Sequence, residues 1–200
     1  MPKTIVKSIN NTFKINLKFN KNKPDSKYFN IFPGEHYRLL AGLIDYEKPK
    51  TLIDIGTSSG MSSRVMLDYS KIDSEIITFD LIKWNKFNSH LSKNDFKSRK
   101  FTQYLEDLTN YDIFKKHISL INKADLIFLN DPKDVVFEYL FIRNFIKSNL
   151  SLKKRFLILD DIKFLNMNKL WRSIKSPKFD LTSFGHFSSA RIVDISSHIE

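Results

Sequence analysis

The chain has 200 residues, 42% of them hydrophobic and none cysteine, which suits one domain around a single core and excludes disulfides and thiolate metal sites. No apolar run approaches a membrane span, and Met1–Lys7 lacks the apolar stretch and cleavage site of a secretory signal, so the expectation is a cytoplasmic protein with no membrane partner. The net charge of +11 would suit a phosphate-bearing partner, but Lys, Asn, Ile and Phe are enriched throughout, as biased codon usage would produce, and the charge is read as solvated surface.

Residues 1–32 read as an N-terminal extension and 33–200 as one domain. In the extension, Thr12–Asn20 alternates polar and apolar, which predicts a half-buried strand with Phe13, Ile15, Leu17 and Phe19 on one face. That strand serves either its own subunit or a homodimer contact. Lys21–Ser26 breaks the pattern as a loop. Gly34–Ile44 carries apolar residues at helical spacing and stops at Lys48-Pro49-Lys50. Thr51–Ile55 is a short apolar strand, followed by a small-residue turn and a helical pattern through Val65, Met66, Leu67 and Tyr69.

The alternation recurs. Glu75–Phe79 predicts a strand ending at Asp80, and Lys100–Leu105 a weaker one ending near Glu106 and Asp107. Ala124–Leu129 and Arg155–Leu159 are the most apolar runs, as expected for central parallel strands covered on both faces by helices. Lys178–Phe184 and Ala190–Ile195 flank Gly185–Ser189 as a terminal β-hairpin. Strands and helices in this order predict an α/β three-layer sandwich, mostly parallel, with one antiparallel strand at its end.

Asp54-Ile55-Gly56-Thr57-Ser58-Ser59-Gly60 lies between a strand and a helix, where glycines let backbone approach a ligand and a helix N-terminus offers N–H groups. The dinucleotide pattern G-x-G-x-x-G and the phosphate-loop ending G-K-[ST] are both absent. Asp80, at the end of the next strand, is placed either to accept hydrogen bonds from the two hydroxyls of a ribose or to cap a turn.

The Asp54–Gly60 turn followed by Asp80 resembles the first two motifs of class I S-adenosylmethionine-dependent methyltransferases, and the match runs from Glu35 to Asp194. The resemblance implies a Rossmann-like sandwich with a seven-stranded sheet in the order 3-2-1-4-5-7-6, strand seven antiparallel. It also implies S-adenosylmethionine as cofactor: Asp54, Gly56, Thr57, Ser58 and Gly60 against its methionine part, Asp80 at the ribose, Glu106 and Asp107 near adenine, and Asn130 at the same sheet edge. Glu106 and Asp107 have a second reading as caps of the helix that follows.

Leu126–Asp134 and Ile158–Asp161 are similar to the fourth- and fifth-strand segments of catechol-type O-methyltransferases, and Asp180–Ser188 is similar to a stretch in a related subgroup of small bacterial methyltransferases. The catechol-type likeness implies an Mg2+ site at Asn130, Asp160 and Asp161, with Lys133 as base on the acceptor hydroxyl. Asn130 stands where those enzymes carry aspartate, which removes one formal charge from the cage, and Asp131 beside it is the alternative donor. Oxygen donors suit magnesium, which would orient two substrate oxygens and lower a hydroxyl pKa. His186, just beyond the sixth strand, is a further candidate base, orienting donor or metal ligand.

The expected activity is methyl transfer to a small hydroxylated acceptor. Two alternatives stay open: a nucleic-acid methyltransferase, supported by charge and by Lys83-Trp84-Asn85-Lys86-Phe87 but lacking an Asn-Pro-Pro-Tyr-like motif, and a cofactor-binding partner subunit without catalysis.

Overall fold

The computed structural model describes residues 2–19, 21–30, 36–130, 135–148, 150–163, 166–184 and 190–196. In chain order these form α1 (Pro2–Thr12), a short 3-10 helix (Pro24–Asn30), α2 (His36–Glu47), β1 (Thr51–Ile55), α3 (Met61–Tyr69) and β2 (Glu75–Phe79). Then follow α4 (Asp95–Ser98), β3 (Lys100–Tyr104), α5 (Tyr111–Lys116), α6 (Ile118–Lys123), β4 (Leu126–Leu129), α7 (Val136–Lys147), β5 (Phe156–Leu159), α8 (Met167–Ser173), β6 (Lys178–Asp180) and β7 (Arg191–Asp194).

The seven strands make one sheet in the order β3-β2-β1-β4-β5-β7-β6. β1 through β5 pair in parallel, and β7 runs antiparallel to both β5 and β6. The expected order and the terminal hairpin are both present. β4, one of the two most apolar runs of the sequence, is the middle strand, and β5, the other, lies beside it.

Strand alternation divides the core into two layers. Leu52, Ile76, Phe101, Leu126, Phe128 and Ile158 pack with α1, α2 and α3, while Ile53, Ile55, Ile77, Ile127, Leu129 and Leu157 pack with α5 through α8. Successive side chains of a strand point to opposite faces, so strands buried on both sides must be continuously apolar. Thr51, Asp54 and Thr78 are the buried polar exceptions in β1 and β2, and Asp54 falls on the α3 side. The parallel strands all end at one edge, and the glycine turn, Asp80, Asn130 and Asp160 sit there. Among the described residues, no helix is long and apolar enough to cross a membrane.

The strand expected at Thr12–Asn20 is not formed. α1 occupies Pro2–Thr12, a turn takes Phe13 and Lys14, and residues 15–19 join no sheet. The alternation still sorts side chains: Ile15, Leu17 and Phe19 lie against the core, whereas Phe13 is 71% exposed. The helix was hidden because its buried face is polar. Thr4, Ser8 and Thr12 are buried with Ile5, and the Ser8 and Thr12 hydroxyls donate to the carbonyls of Thr4 (2.8 Å) and Ser8 (2.9 Å), which satisfies them without water.

The strand expected over Lys178–Phe184 is also shorter than its pattern. Asp180 accepts the Thr182 N–H at 2.9 Å in a local turn, and Thr182–Phe184 becomes a 3-10 helix.

Candidate active site

The β1–α3 turn is built from left-handed backbone. Gly56 has φ 94°, Ser58 φ 44° and Gly60 φ 81°, a region that costs side-chain-bearing residues energy and glycine almost none. Gly56 N–H donates to the Phe79 carbonyl at 2.9 Å, which anchors the turn to the end of β2. Thr57 is buried, with its hydroxyl 2.7 Å from that of Thr78 and 3.1 Å from Gln103 Nε2. Ser58 is exposed and donates its N–H to Asp80 Oδ2 at 2.8 Å. α3 then begins at Gly60 with no side-chain cap.

Asp54 is fully buried and reaches α3 rather than the open edge. Its Oδ2 accepts hydrogen bonds from Ser62 at 2.9 Å and from Ser63, while Oδ1 has no partner among the described residues. Burial pushes its carboxyl up to about 7, against the opposing hydrogen bonds of Ser63 and Ser62. Asp54 therefore acts through the turn, by clamping the start of α3 to β1.

Asp80 ends β2 with both oxygens engaged by backbone: Oδ2 by Ser58 N–H and Oδ1 by Ile82 N–H, each at 2.8 Å. A carboxylate oxygen accepts more than one hydrogen bond, so these contacts orient the group and leave acceptor capacity for hydroxyls. Beside it, Leu81, Ile82 and Leu105 are exposed at 70%, 49% and 50%, an unusual concentration of apolar surface at the ends of β2 and β3. Glu106 instead turns to Lys116 and His117, whose hydrogen bonds hold its carboxyl below the usual range. Asp107 Oδ1 accepts the Thr109 N–H at 2.8 Å, and Asn110 caps α5. Both acids thus serve the β3–α5 connection in this structure.

A cavity of about 420 Å³ opens next to the turn. Ser58, Ser59 and Met61 line one part of it, His36 and Tyr37 of α2 another, and Asn130, Asp160 and Asp161 close it at the ends of β4 and β5. Asp25 and Tyr28 reach it from the N-terminal extension. Asp160 and Asp161 are buried, Asp161 with φ 53°, and Asp160 Oδ1 lies 3.5 Å from His36 Nδ1. The three expected metal donors are therefore brought to one wall, and their oxygen chemistry fits magnesium. His36 competes for one of those oxygens, and no group of three His, Cys, Asp or Glu side chains suited to a metal occurs among the described residues. Lys133, Asp131 and His186 lie outside the described residues.

Sequence reasoning did not find Asp25, His36, His90 or Gln103. His90 Nε2 is 2.7 Å from Asp25 Oδ1, and its backbone N–H donates to Ser59 O at 2.7 Å. Gln103 Oε1 accepts the Trp84 N–H at 3.0 Å while its Nε2 bonds Thr57. These residues are far apart in sequence and carry no shared spacing. A second cavity, of about 370 Å³, lies at the opposite end of the strands near Lys50, Asp125 and Lys154, where Lys154 pairs with Glu47 at 2.5 Å and Lys153 with Asp125 at 2.7 Å.

No protein-family model and no curated protein matches the sequence. Solved structures do resemble the fold. A methyltransferase from Geobacter sulfurreducens superposes with a TM-score of 0.59 at 14% identity, over 84% of this chain and 82% of that one. A Podospora anserina methyltransferase bound to SAH gives 0.57 at 14% identity, over 97% and 88%. A candidate O-methyltransferase from Klebsiella pneumoniae gives 0.50 at 11% identity, over 97% and 90%. The chain has the fold of these methyltransferases, which agrees with the strand order above.

Proposed function

We propose that the chain is an S-adenosylmethionine-dependent methyltransferase acting on the hydroxyl of a small acceptor. The observation that carries this reading is the β1–α3 turn, with left-handed backbone at Gly56, Ser58 and Gly60, standing between Asp80 and the 420 Å³ cavity. Asp80 would accept the ribose hydroxyls, the adenine ring would pack on Leu81, Ile82 and Leu105, and the methionine end would lie at the uncapped start of α3. The SAH in the Podospora anserina structure supports the same choice of cofactor on the same fold.

Bound there, S-adenosylmethionine supplies an activated methyl group. The chain's part is to hold an acceptor oxygen in line with it, exclude water and take up the hydroxyl proton. Lys133 is the proposed proton acceptor and His186 the proposed orienting group, both on sequence position. Asn130, Asp160 and Asp161 would hold magnesium, which would lower the acceptor hydroxyl's pKa. Glu106 and Asp107 keep only a supporting role beside adenine, through the β3–α5 connection.

Calorimetry of the folded chain with S-adenosylmethionine and S-adenosylhomocysteine tests the cofactor, and mass spectrometry of a phenol panel, with magnesium or with chelator, tests the reaction. Binding of neither cofactor form would remove the whole reading. Methylation confined to nucleic acid, with affinity collapsing as salt rises, would replace the small acceptor with a phosphate-bearing one.

A further inference from the structure

The lining of the 420 Å³ cavity runs against the charge of the protein. The chain carries 33 Lys and Arg against 22 Asp and Glu, yet no Lys or Arg lines this cavity among the described residues. Two of its carboxylates, Asp160 and Asp161, are accounted for by the proposed magnesium. Asp25 has no such role.

Asp25 is also held in place. His90 Nε2 sits 2.7 Å from its Oδ1, the His90 backbone N–H is fixed on Ser59 O at 2.7 Å, and the His90 ring meets the Phe29 ring edge-on at 5.3 Å. The imidazole side chain is only 2% exposed while that of Asp25 is 24% exposed, so the carboxylate is the member of the pair that a ligand can reach. Burial opposes its ionisation, but hydrogen bonds from Ser59 and His90 outweigh that and hold its carboxyl below the usual range.

We propose that Asp25 is a specificity-determining residue of the acceptor cavity, and that its carboxylate receives the ammonium group of a small amine-bearing acceptor. The inference rests on the methyltransferase reading, and it deepens that reading by naming a substrate class. An anionic or phosphorylated acceptor would meet the fixed Asp25 carboxylate in a lining that carries no Lys or Arg among the described residues, which is a device for rejection as well as attraction.

The test uses the full chain and a matched pair of phenols, dihydroxyphenethylamine and dihydroxyphenylacetate, titrated into protein saturated with S-adenosylhomocysteine. Cofactor binding, measured first and separately, reports on the methyltransferase reading alone. The wild type should bind the amine at least about tenfold more tightly than the acid. In Asp25→Asn the preference should fall to within about twofold, and in Asp25→Glu, which keeps the charge, it should persist. Equal or tighter binding of the acid overturns the proposal, as does an unchanged preference in Asp25→Asn. Cofactor binding without binding of the amine also overturns it while leaving the methyltransferase reading intact.

Discussion

Replacing Gly60 with alanine places a methyl group where the fold has no room for it. A Cβ at this position would stand 2.5 Å from Leu91 Cγ and 2.7 Å from Leu91 Cδ1. Leu91 cannot swing clear, because it is itself only 5% exposed within the core. The backbone adds a second cost, since Gly60 has φ 81° and left-handed geometry costs an alanine about 1–2 kcal/mol. Displacing a packed core side chain costs about 1–3 kcal/mol more, so the expected loss is about 2–5 kcal/mol. In a chain of this size each kcal/mol lowers Tm by about 2–4 °C, so a fall of roughly 4–20 °C should be seen by circular dichroism. Affinity for S-adenosylhomocysteine should drop at least about tenfold, because the turn that would carry the ligand is displaced. A double-mutant cycle with Leu91→Ala isolates the steric part: the two changes together should cost less than their sum by about 1 kcal/mol or more. An unchanged Tm, or an additive cycle, would refute the close approach of Gly60 to Leu91.

Asp54→Asn addresses the buried carboxyl, which holds its proton in the fold up to about pH 7, whereas in the unfolded chain it ionises near about 3.9. The folded state therefore binds more protons between those values, and wild-type stability should fall as pH rises from about 4 to about 7. The variant should lose that slope in urea midpoints measured across the range, and parallel profiles would count against the assignment. Asp80→Ala should weaken S-adenosylhomocysteine binding by about 1–3 kcal/mol if the carboxylate takes ribose hydroxyls, and calorimetry showing equal affinity would leave Asp80 as a turn cap only. Gly42→Ala would put a Cβ 2.4 Å from Thr12 Oγ1 and 2.6 Å from the Ser8 carbonyl. It should push α1 off α2 at a cost of about 1–3 kcal/mol, read as faster proteolysis near the N-terminus, and an unchanged cleavage rate would contradict that packing.

What could be read from the sequence follows the range of the interactions involved. Leu126–Leu129 and Phe156–Leu159 were legible because a strand covered on both faces is apolar at every position, and Thr51–Ile55 because Leu52, Ile53 and Ile55 keep it short and largely apolar; each run is buried throughout. The turn was legible because left-handed backbone at two fixed points demands glycine at Gly56 and Gly60. α1 was not, since only Ile5 and Ile9 supply apolar contacts to the core and the rest of its buried face is Thr4, Ser8 and Thr12, with the Ser8 and Thr12 hydroxyls bonding backward along the helix. Its nearness to Gly42 explains that choice: small polar side chains let two helices approach where larger apolar ones would hold them apart.

The same distinction separates the two halves of the candidate site. The proposed cofactor half is assembled within β1, the turn, α3 and the end of β2, so its residues keep a spacing that a reader of sequence can recognise. The acceptor half is assembled across the fold: Asp25 from the extension, His36 from α2, His90 after β2, Asn130 after β4 and Asp160 after β5. Each of these is a polar residue in a loop or at the end of an element, where a cap or turn role is the commoner use of the same residue type. Only the sheet order brings them together, because a parallel sheet delivers its carboxyl ends to one edge whatever the loops between them contain. On the proposed reading, the acceptor would change by substitution at Asp25 or in the loop around His90 while the turn and Asp80 stay as they are. The Asp25 variants therefore test more than one contact: a shift in acceptor preference with cofactor binding retained would show that the two halves are energetically separable.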